Sequence, residues 1–205
     1  MVIGANGPLG REIVKVTLSR GHQVTAFVRR GFDMQHERLT VATGDVRDSD
    51  SLNAPMAGMN AVICSLGIKP TWKDVDLFSE GTNHVIRCMT RHNARRLICI
   101  TGIGAGESKG HGGLFYNKIL QPLFLKKIYE DKTRQEELVR YCNRDWVVVR
   151  PAILTDGPAS GRYAMLKEVR GVQTSTISRA DVAAFCADQL LSNRFLYQFP
   201  ILTDE

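Results

Sequence analysis

The sequence predicts an α/β fold of Rossmann type, a doubly wound and mainly parallel sheet in a single domain. Three observations carry the prediction. Short runs of β-forming residues alternate with stretches of helical periodicity along the whole chain. The opening residues, Met-Val-Ile-Gly-Ala-Asn-Gly-Pro-Leu-Gly, set an apolar run directly before glycines at 4, 7 and 10, and an amphipathic helix pattern follows. A length of 205 residues, 43% apolar and 23% charged, suits one globular domain with a sizeable core.

The elements follow in order. Only Met1–Ile3 precede the turn, so the first strand is either clipped or continues upstream of Met1. A helix from about Pro8 to Arg20 puts Leu9, Ile13 and Val16 on one face, and Gly21 stops it. Strands are expected at Gln23–Val28 and Leu39–Thr43, then a loop over Gly44–Asp48, a short helix at Ser51–Met56 and a strand at Ala61–Leu66 closed by Gly67. A long helix is expected from about Lys73 to Arg91, with Val75, Phe78, Thr82, Val85 and Met89 as its core stripe. Then come a strand at Arg96–Thr101, a helix at Ile128–Cys142 and a strand at Trp146–Arg150 ended by Pro151. The chain closes with a short strand around Ile177, a helix at Arg179–Leu191 and an edge strand at Phe195–Phe199. In such a sheet the loops after the carboxyl ends of the strands converge on one cleft.

The glycines point to a dinucleotide. A strand ending in Gly4 needs a tight turn, Gly7 lets a diphosphate approach the backbone, and Gly10 lets the helix pack closely. The free amides and positive end of that helix then meet the phosphate charge. The spacing is G-x-x-G-x-x-G with Asn6 inside it. An NAD site carries an acidic residue near the end of the second strand, about 20 residues past the glycines. Here that place holds Arg29 and Arg30, and Asp33 comes too late. Two guanidiniums suit a 2′-phosphate, so NADP(H) is expected over NAD(H), with Arg30 either joining in or facing water. Asp45 and Val46, after the third strand, either frame the adenine or belong to a helix cap.

The remaining composition narrows the class. No run is long and apolar enough for a membrane span, and no signal peptide is visible. The five cysteines (64, 88, 99, 142 and 186) form no C-x-x-C pair and read as reduced thiols of a cytoplasmic protein, with no metal site expected. The net charge of +6 is scattered in pairs rather than gathered in a run, so neither nucleic acid nor membrane is expected as a partner.

Together these pieces resemble the atypical short-chain dehydrogenase/reductases with an NAD(P)H-binding domain, and among them the NADPH-dependent flavin reductase and biliverdin reductase B-like proteins. The resemblance covers nearly the whole chain. It rests on Gly-Ala-Asn-Gly-Pro-Leu-Gly at 4–10, Val-Arg-Arg at 28–30, Gly-Asp-Val-Arg-Asp at 44–48 and Ser-Leu-Gly at 65–67. It continues in Ile-Thr-Gly-Ile-Gly at 100–104, Asp-Trp-Val-Val-Val-Arg-Pro at 145–151 and Ile-Ser-Arg-Ala-Asp-Val-Ala at 177–183. It implies that Gly4, Gly7, Pro8, Leu9 and Gly10 hold the diphosphate and that Arg29 takes the 2′-phosphate. Asp45 and Val46 would frame the adenine, and Leu66, Gly67 and Lys69 would line the ribose side. Thr101, Pro151 and Ile153 would lie near the nicotinamide.

Carbonyl-reducing members of this group resemble one another in a Tyr-x-x-x-Lys pair on a helix. Here Tyr129 precedes Lys132 by three residues, on neighbouring turns of one face. Tyr129 is either a proton donor or a packed wall of the cleft. Lys132 is expected at the ribose, with Glu136 one turn on as its partner, and Thr101 completes the catalytic candidates. The flavin reductase pattern has a serine after the threonine of the fifth strand and a histidine after the proline of the sixth. This chain has Gly102 and Ala152 there, so both polar groups are missing.

Residues 102–127 form the most distinctive insert. Six glycines (102, 104, 106, 110, 112 and 113) lead into a greasy segment. This stretch is expected to be either a lid, with Phe115, Tyr116 and Phe124 against an aromatic acceptor, or a packing segment on the domain or a second subunit. His111 is a lone loop histidine and a weak candidate donor. Two functions remain open: a reductase passing hydride from NADPH to a small aromatic or carbonyl acceptor (flavin, quinone or tetrapyrrole), or a non-catalytic NADP(H) sensor of the NmrA-like kind. A sugar-nucleotide epimerase needs a longer chain. Either protein is expected as a monomer or homodimer.

Overall fold

The fold is given by a computed structural model, which describes residues 1–108, 125–167 and 175–204. Strand β1 (Val2–Ile3) enters the glycine turn and α1 (Pro8–Ser19) leaves it. Then come β2 (Val24–Val28), β3 (Leu39–Thr43), α2 (Ser49–Met56), β4 (Ala61–Cys64), α3 (Leu77–Arg91) and β5 (Arg96–Ile100). After a 3-10 turn at Gly106–Ser108, α4 (Lys126–Arg140) leads to β6 (Asp145–Pro151). The last part holds β7 (Ile153–Thr155), β8 (Tyr163–Leu166), β9 (Thr176–Ser178), α5 (Arg179–Asp188) and β10 (Ile201–Asp204).

The main sheet runs β3-β2-β1-β4-β5-β6-β10-β8, and β7 pairs with β9 in a small separate ribbon. Every pairing from β3 through β6 to β10 is parallel, and only β8 runs antiparallel. The order reverses between β1 and β4, which is the switch point where such sheets open a crevice. Helices α1 and α5 cover one face, and α2, α3 and α4 the other. The inner strands are therefore apolar on both faces, as every residue of β2 being buried illustrates.

Several expectations need correction. Helix α3 begins at Leu77, not Lys73, and Val75 packs from the loop before it. Its start is set from α4: the Asp131 carboxylate accepts from the amides of Phe78 at 2.8 Å and Ser79 at 3.4 Å and from the Ser79 hydroxyl. That cap lies 53 residues away from Phe78 in sequence. The edge strand expected at Phe195–Phe199 is absent. Phe195 is buried there, Tyr197 takes φ 60, and the chain turns before pairing with β6 as β10. Strand β4 stops at Cys64, α5 stops at Asp188, and Pro151 is the last residue of β6 rather than its terminator. All five cysteines are free thiols, four buried and Cys142 half-buried. No helix among the described residues is long and apolar enough to cross a membrane.

Candidate functional site

Each glycine of the opening turn has its own task. Gly4 sits at φ +75, and a Cβ there would lie 2.2 Å from the Ser65 carbonyl oxygen, so only glycine lets the turn lie against the segment just past β4. A Cβ on Gly10 would meet the Gly4 carbonyl oxygen at 2.2 Å, so Gly10 presses α1 onto the turn itself. Gly7 is different. It is the N-cap of α1 at φ −70 and ψ 157, with no side-chain cap, and a Cβ there would meet only Gly4 O at 3.3 Å. Pro8 has no amide hydrogen, Leu9 turns its side chain into the core, and the amides of Leu9 and Gly10 find no acceptor among the described residues. An open backbone cradle at the positive end of a helix fits a diphosphate.

Asn6 donates from Nδ2 to the Gly31 carbonyl at 3.2 Å, tying the glycine turn to the loop after β2. Arg29 and Arg30 stand exposed at the end of β2, and neither forms an ion pair among the described residues. Asp33 is taken by Arg11 at 2.5 Å, and that guanidinium holds its carboxyl below the usual range. Asp45 uses its carboxylate on the Arg47 amide at 3.0 Å and its carbonyl on the Ser51 hydroxyl at 2.8 Å. The cap of α2 is Asp48, whose side chain accepts from the Asp50 amide, so Asp45 is not the helix cap. Val46 is buried against the position of Gly81, and its carbonyl meets His84 Nδ1 at 3.0 Å. Leu66 is half-buried beside the same Gly81, while Gly67 and Lys69 lie exposed in the loop beyond β4.

Across the switch point lies a cavity of about 230 Å³. Its lining is Thr101, Gly102, Ile103, Leu125, Tyr129, Lys132, Pro151, Ala152, Ile153 and Leu154. The structure thus brings together Thr101, Tyr129, Lys132, Pro151 and Ile153 from three separate stretches of chain. Gly102 adopts φ +142, and a Cβ there would meet the Tyr129 hydroxyl at 3.0 Å. The serine missing at 102 therefore leaves the room that the Tyr129 hydroxyl uses. The Lys132 ammonium donates to the Thr101 carbonyl and lies 5.4 Å from the Tyr129 ring centre and 5.2 Å from that of Phe78. Burial among these groups lowers its pKa to about 8, against an upward pull from nearby negative charge that includes Glu136.

Glu136 does not pair with Lys132. It accepts from the Arg150 guanidinium at 3.0 Å (Nε) and 2.6 Å (Nη2), and from the Thr101 hydroxyl at 2.7 Å. Both ionic side chains are almost fully buried, at 2% and 4% exposure. A carboxylate fits here because an arginine fork answers it, and an arginine follows the Val-Val-Val run within β6 for the same reason. Thr101 lines the cavity with its hydroxyl proton given to Glu136. The arginine inside an apolar strand was the sequence signal for this network. Nothing local marked Asp131 or Arg11.

A second, more polar hollow of about 460 Å³ lies beside β7 and β9, lined in part by Asp156, Ser160, Asp181 and Asp204. Its buried carboxylate is spent on structure. Asp181 accepts from the amides of Ser160 and Gly161 at 3.0 and 2.9 Å and from the Ser178 hydroxyl at 2.8 Å. Of the insert, residues 109–124 lie outside the described residues, and with them His111, Phe115, Tyr116 and Phe124.

Known proteins agree with this layout. An uncharacterised chloroplastic protein of Arabidopsis thaliana is 28% identical, over 93% of this chain and 71% of its own length. The chain spans only 14% of longer uncharacterised Mycobacterium tuberculosis proteins, at 25% identity over 75% of its residues. ChuY, an anaerobillin reductase from Escherichia coli O157:H7, shares the fold with a TM-score of 0.82 at 20% identity, over 99% of this chain and 95% of its own. A protein from Streptococcus pneumoniae TIGR4, provisionally named an NADH-flavin reductase, aligns at 26% identity and a TM-score of 0.77, over 100% of this chain and 98% of its own. The model of the NAD(P)H-binding family matches residues 4–193, which run from the first glycine of the turn to beyond α5. The chain belongs to the NAD(P)H-binding family.

Proposed function

We propose that this chain is an NADPH-dependent reductase of a small, flat acceptor, of flavin, quinone, tetrapyrrole or carbonyl type. The observation that carries the reading is a mostly apolar cavity lined by the Lys132 ammonium, on the far side of the switch point from an open glycine cradle. Gly4, Gly7 and Gly10, with Asn6, Pro8 and Leu9, shape the diphosphate site. Arg29 and Arg30 favour the 2′-phosphate, since no free carboxylate stands at the end of β2 to take a bare ribose diol. Asp45 and Val46 bound the adenine side, and Leu66, Gly67 and Lys69 the ribose side.

A reduced nicotinamide supplies a hydride when bound. The acceptor then carries an extra electron pair and must gain a proton. Ile103, Ala152, Ile153 and Leu154 keep water from the flat face of the acceptor. The Lys132 ammonium stabilises the growing negative charge, and its lowered pKa makes the proton easier to give up. Tyr129 sets its hydroxyl over Gly102 as a second proton donor for a carbonyl. Thr101 and Pro151 fix the floor. The resemblance to reductases of flavins and bilins supports this reading. The missing serine and histidine favour the alternative, an NADP(H) sensor that binds without turnover.

One experiment separates the two. Purified chain is mixed with NADPH and a panel of flavins, quinones, bilins and carbonyls, and loss of the reduced nicotinamide absorbance is followed. The reductase reading expects at least one acceptor to accelerate oxidation. Tight NADPH binding with no acceleration by any acceptor would overturn it in favour of the sensor.

A further inference from the structure

Arg11 follows Gly10 and stands in the first turn of α1. A cation there faces the positive end of the helix dipole, which disfavours it. No acidic residue occupies that first turn to offset the charge. The guanidinium is nevertheless held on three sides. One Nη donates to Asn6 Oδ1, the other donates to Asp33 Oδ1, both at 2.5 Å, and its plane lies 5.0 Å over the Phe32 ring. Asn6 in turn holds the Gly31 carbonyl. A single arginine therefore ties the glycine turn to the loop carrying Arg29 and Arg30. That loop begins with the exposed Arg29 and Arg30, and the carboxylate paired with Arg11 is 82% exposed.

We propose that Arg11 is a specificity-determining ligand for the 2′-phosphate of the cofactor, and that Asp33 is an internal anion that holds Arg11 ready and yields it to that phosphate. The proposal rests on the NADPH reading above. An exposed carboxylate is released to water at little cost. A phosphate monoester brings more charge and three acceptor oxygens, so it outcompetes the carboxylate for a guanidinium already fixed by Asn6 and Phe32. A ribose diol brings no charge, so NADH leaves the Arg11–Asp33 pair intact. Asp33 then sets how strongly the two cofactors are told apart, although it touches neither.

The test is titration calorimetry of the full chain with NADPH and with NADH, on the wild type, Arg11→Ala, Asp33→Asn and the double variant. Losing one charge-assisted contact predicts that Arg11→Ala weakens NADPH by roughly tenfold or more and NADH by less than about twofold. Asp33→Asn is expected to tighten NADPH by about threefold, to leave NADH unchanged, and to lose its effect when Arg11 is already alanine. Equal loss of both cofactors in Arg11→Ala would make Arg11 a brace of the glycine turn and overturn the proposal. Weaker NADH binding by Asp33→Asn would make Asp33 the ribose acceptor and overturn it too. The first result leaves the NADPH reading standing, the second turns that reading toward NADH, and a wild type that binds neither dinucleotide ends both.

Discussion

The two sides of the switch point are built from different materials. On the β1 side the diphosphate cradle is backbone, three glycines and a helix end, with exposed side chains such as Asn6 and Arg11 at its rim. On the β5–β6 side it is a side-chain network, in which Glu136 gathers Arg150 and Thr101 while Thr101 also receives Lys132. That cradle tolerates no side chain at Gly4 or Gly10 but contains no buried charge that needs an answering one. A side-chain network needs every member, because a buried charge that loses its partner is left without solvent.

The sharpest way to break this contrast is Glu136→Ala. It strips the carboxylate from a buried Arg150 and the acceptor from Thr101. The expected cost is about 3–5 kcal/mol in unfolding free energy, read by urea denaturation. Dinucleotide binding by the folded protein should change far less, because the glycine cradle shares no member with the network. A loss under about 1 kcal/mol would show that the pair is replaceable and that the two sides do not differ in this way.

A smaller effect sharpens it through pH. Lys132 titrates near 8, below the ordinary lysine value of 10.5, because burial disfavours its charge. The ammonium is present below pH 8 and is lost as pH rises through that value. Turnover that depends on it should fall by about tenfold per unit above pH 8, and Lys132→Met should be slower and lack that limb. The stability term has the opposite sense. The unfolded chain holds the proton up to about 10.5, so the penalty is full below pH 8 and is relieved between the two values. A pH profile that stays flat in the wild type through this range would remove Lys132 from the chemistry.

The same contrast explains what was legible in the sequence. The strand end, turn and helix start are set by neighbours in the chain and were legible from residues 1–10 alone, although the close approach that demands glycine at 4 comes from Ser65, just past β4. The alternation of strand and helix was legible for the same local reason, through β6. The network was not. Glu136 looked like a partner for Lys132 one turn away, because helical spacing is visible and an arginine across the cavity is not. The start of α3 was misplaced because its cap, Asp131, comes from another helix. Of the last strands only the short one around Ile177 was legible, as β9; β7, β8 and β10, of three or four residues each, were missed because their pairing depends on partners already in place.

The central claim is that the turn around Gly7 receives the diphosphate of a nicotinamide dinucleotide. Gly7→Asp tests it most directly. The backbone angles there suit any residue and aspartate is a favourable N-cap, which offsets the approach of its Cβ to Gly4 O at 3.3 Å, so the variant should fold with a melting temperature close to that of the wild type. Its carboxylate would stand where the phosphates are received. Calorimetry should then show NADPH heat with the wild type and none with the variant. A folded Gly7→Asp protein that binds NADPH as the wild type does would contradict the account.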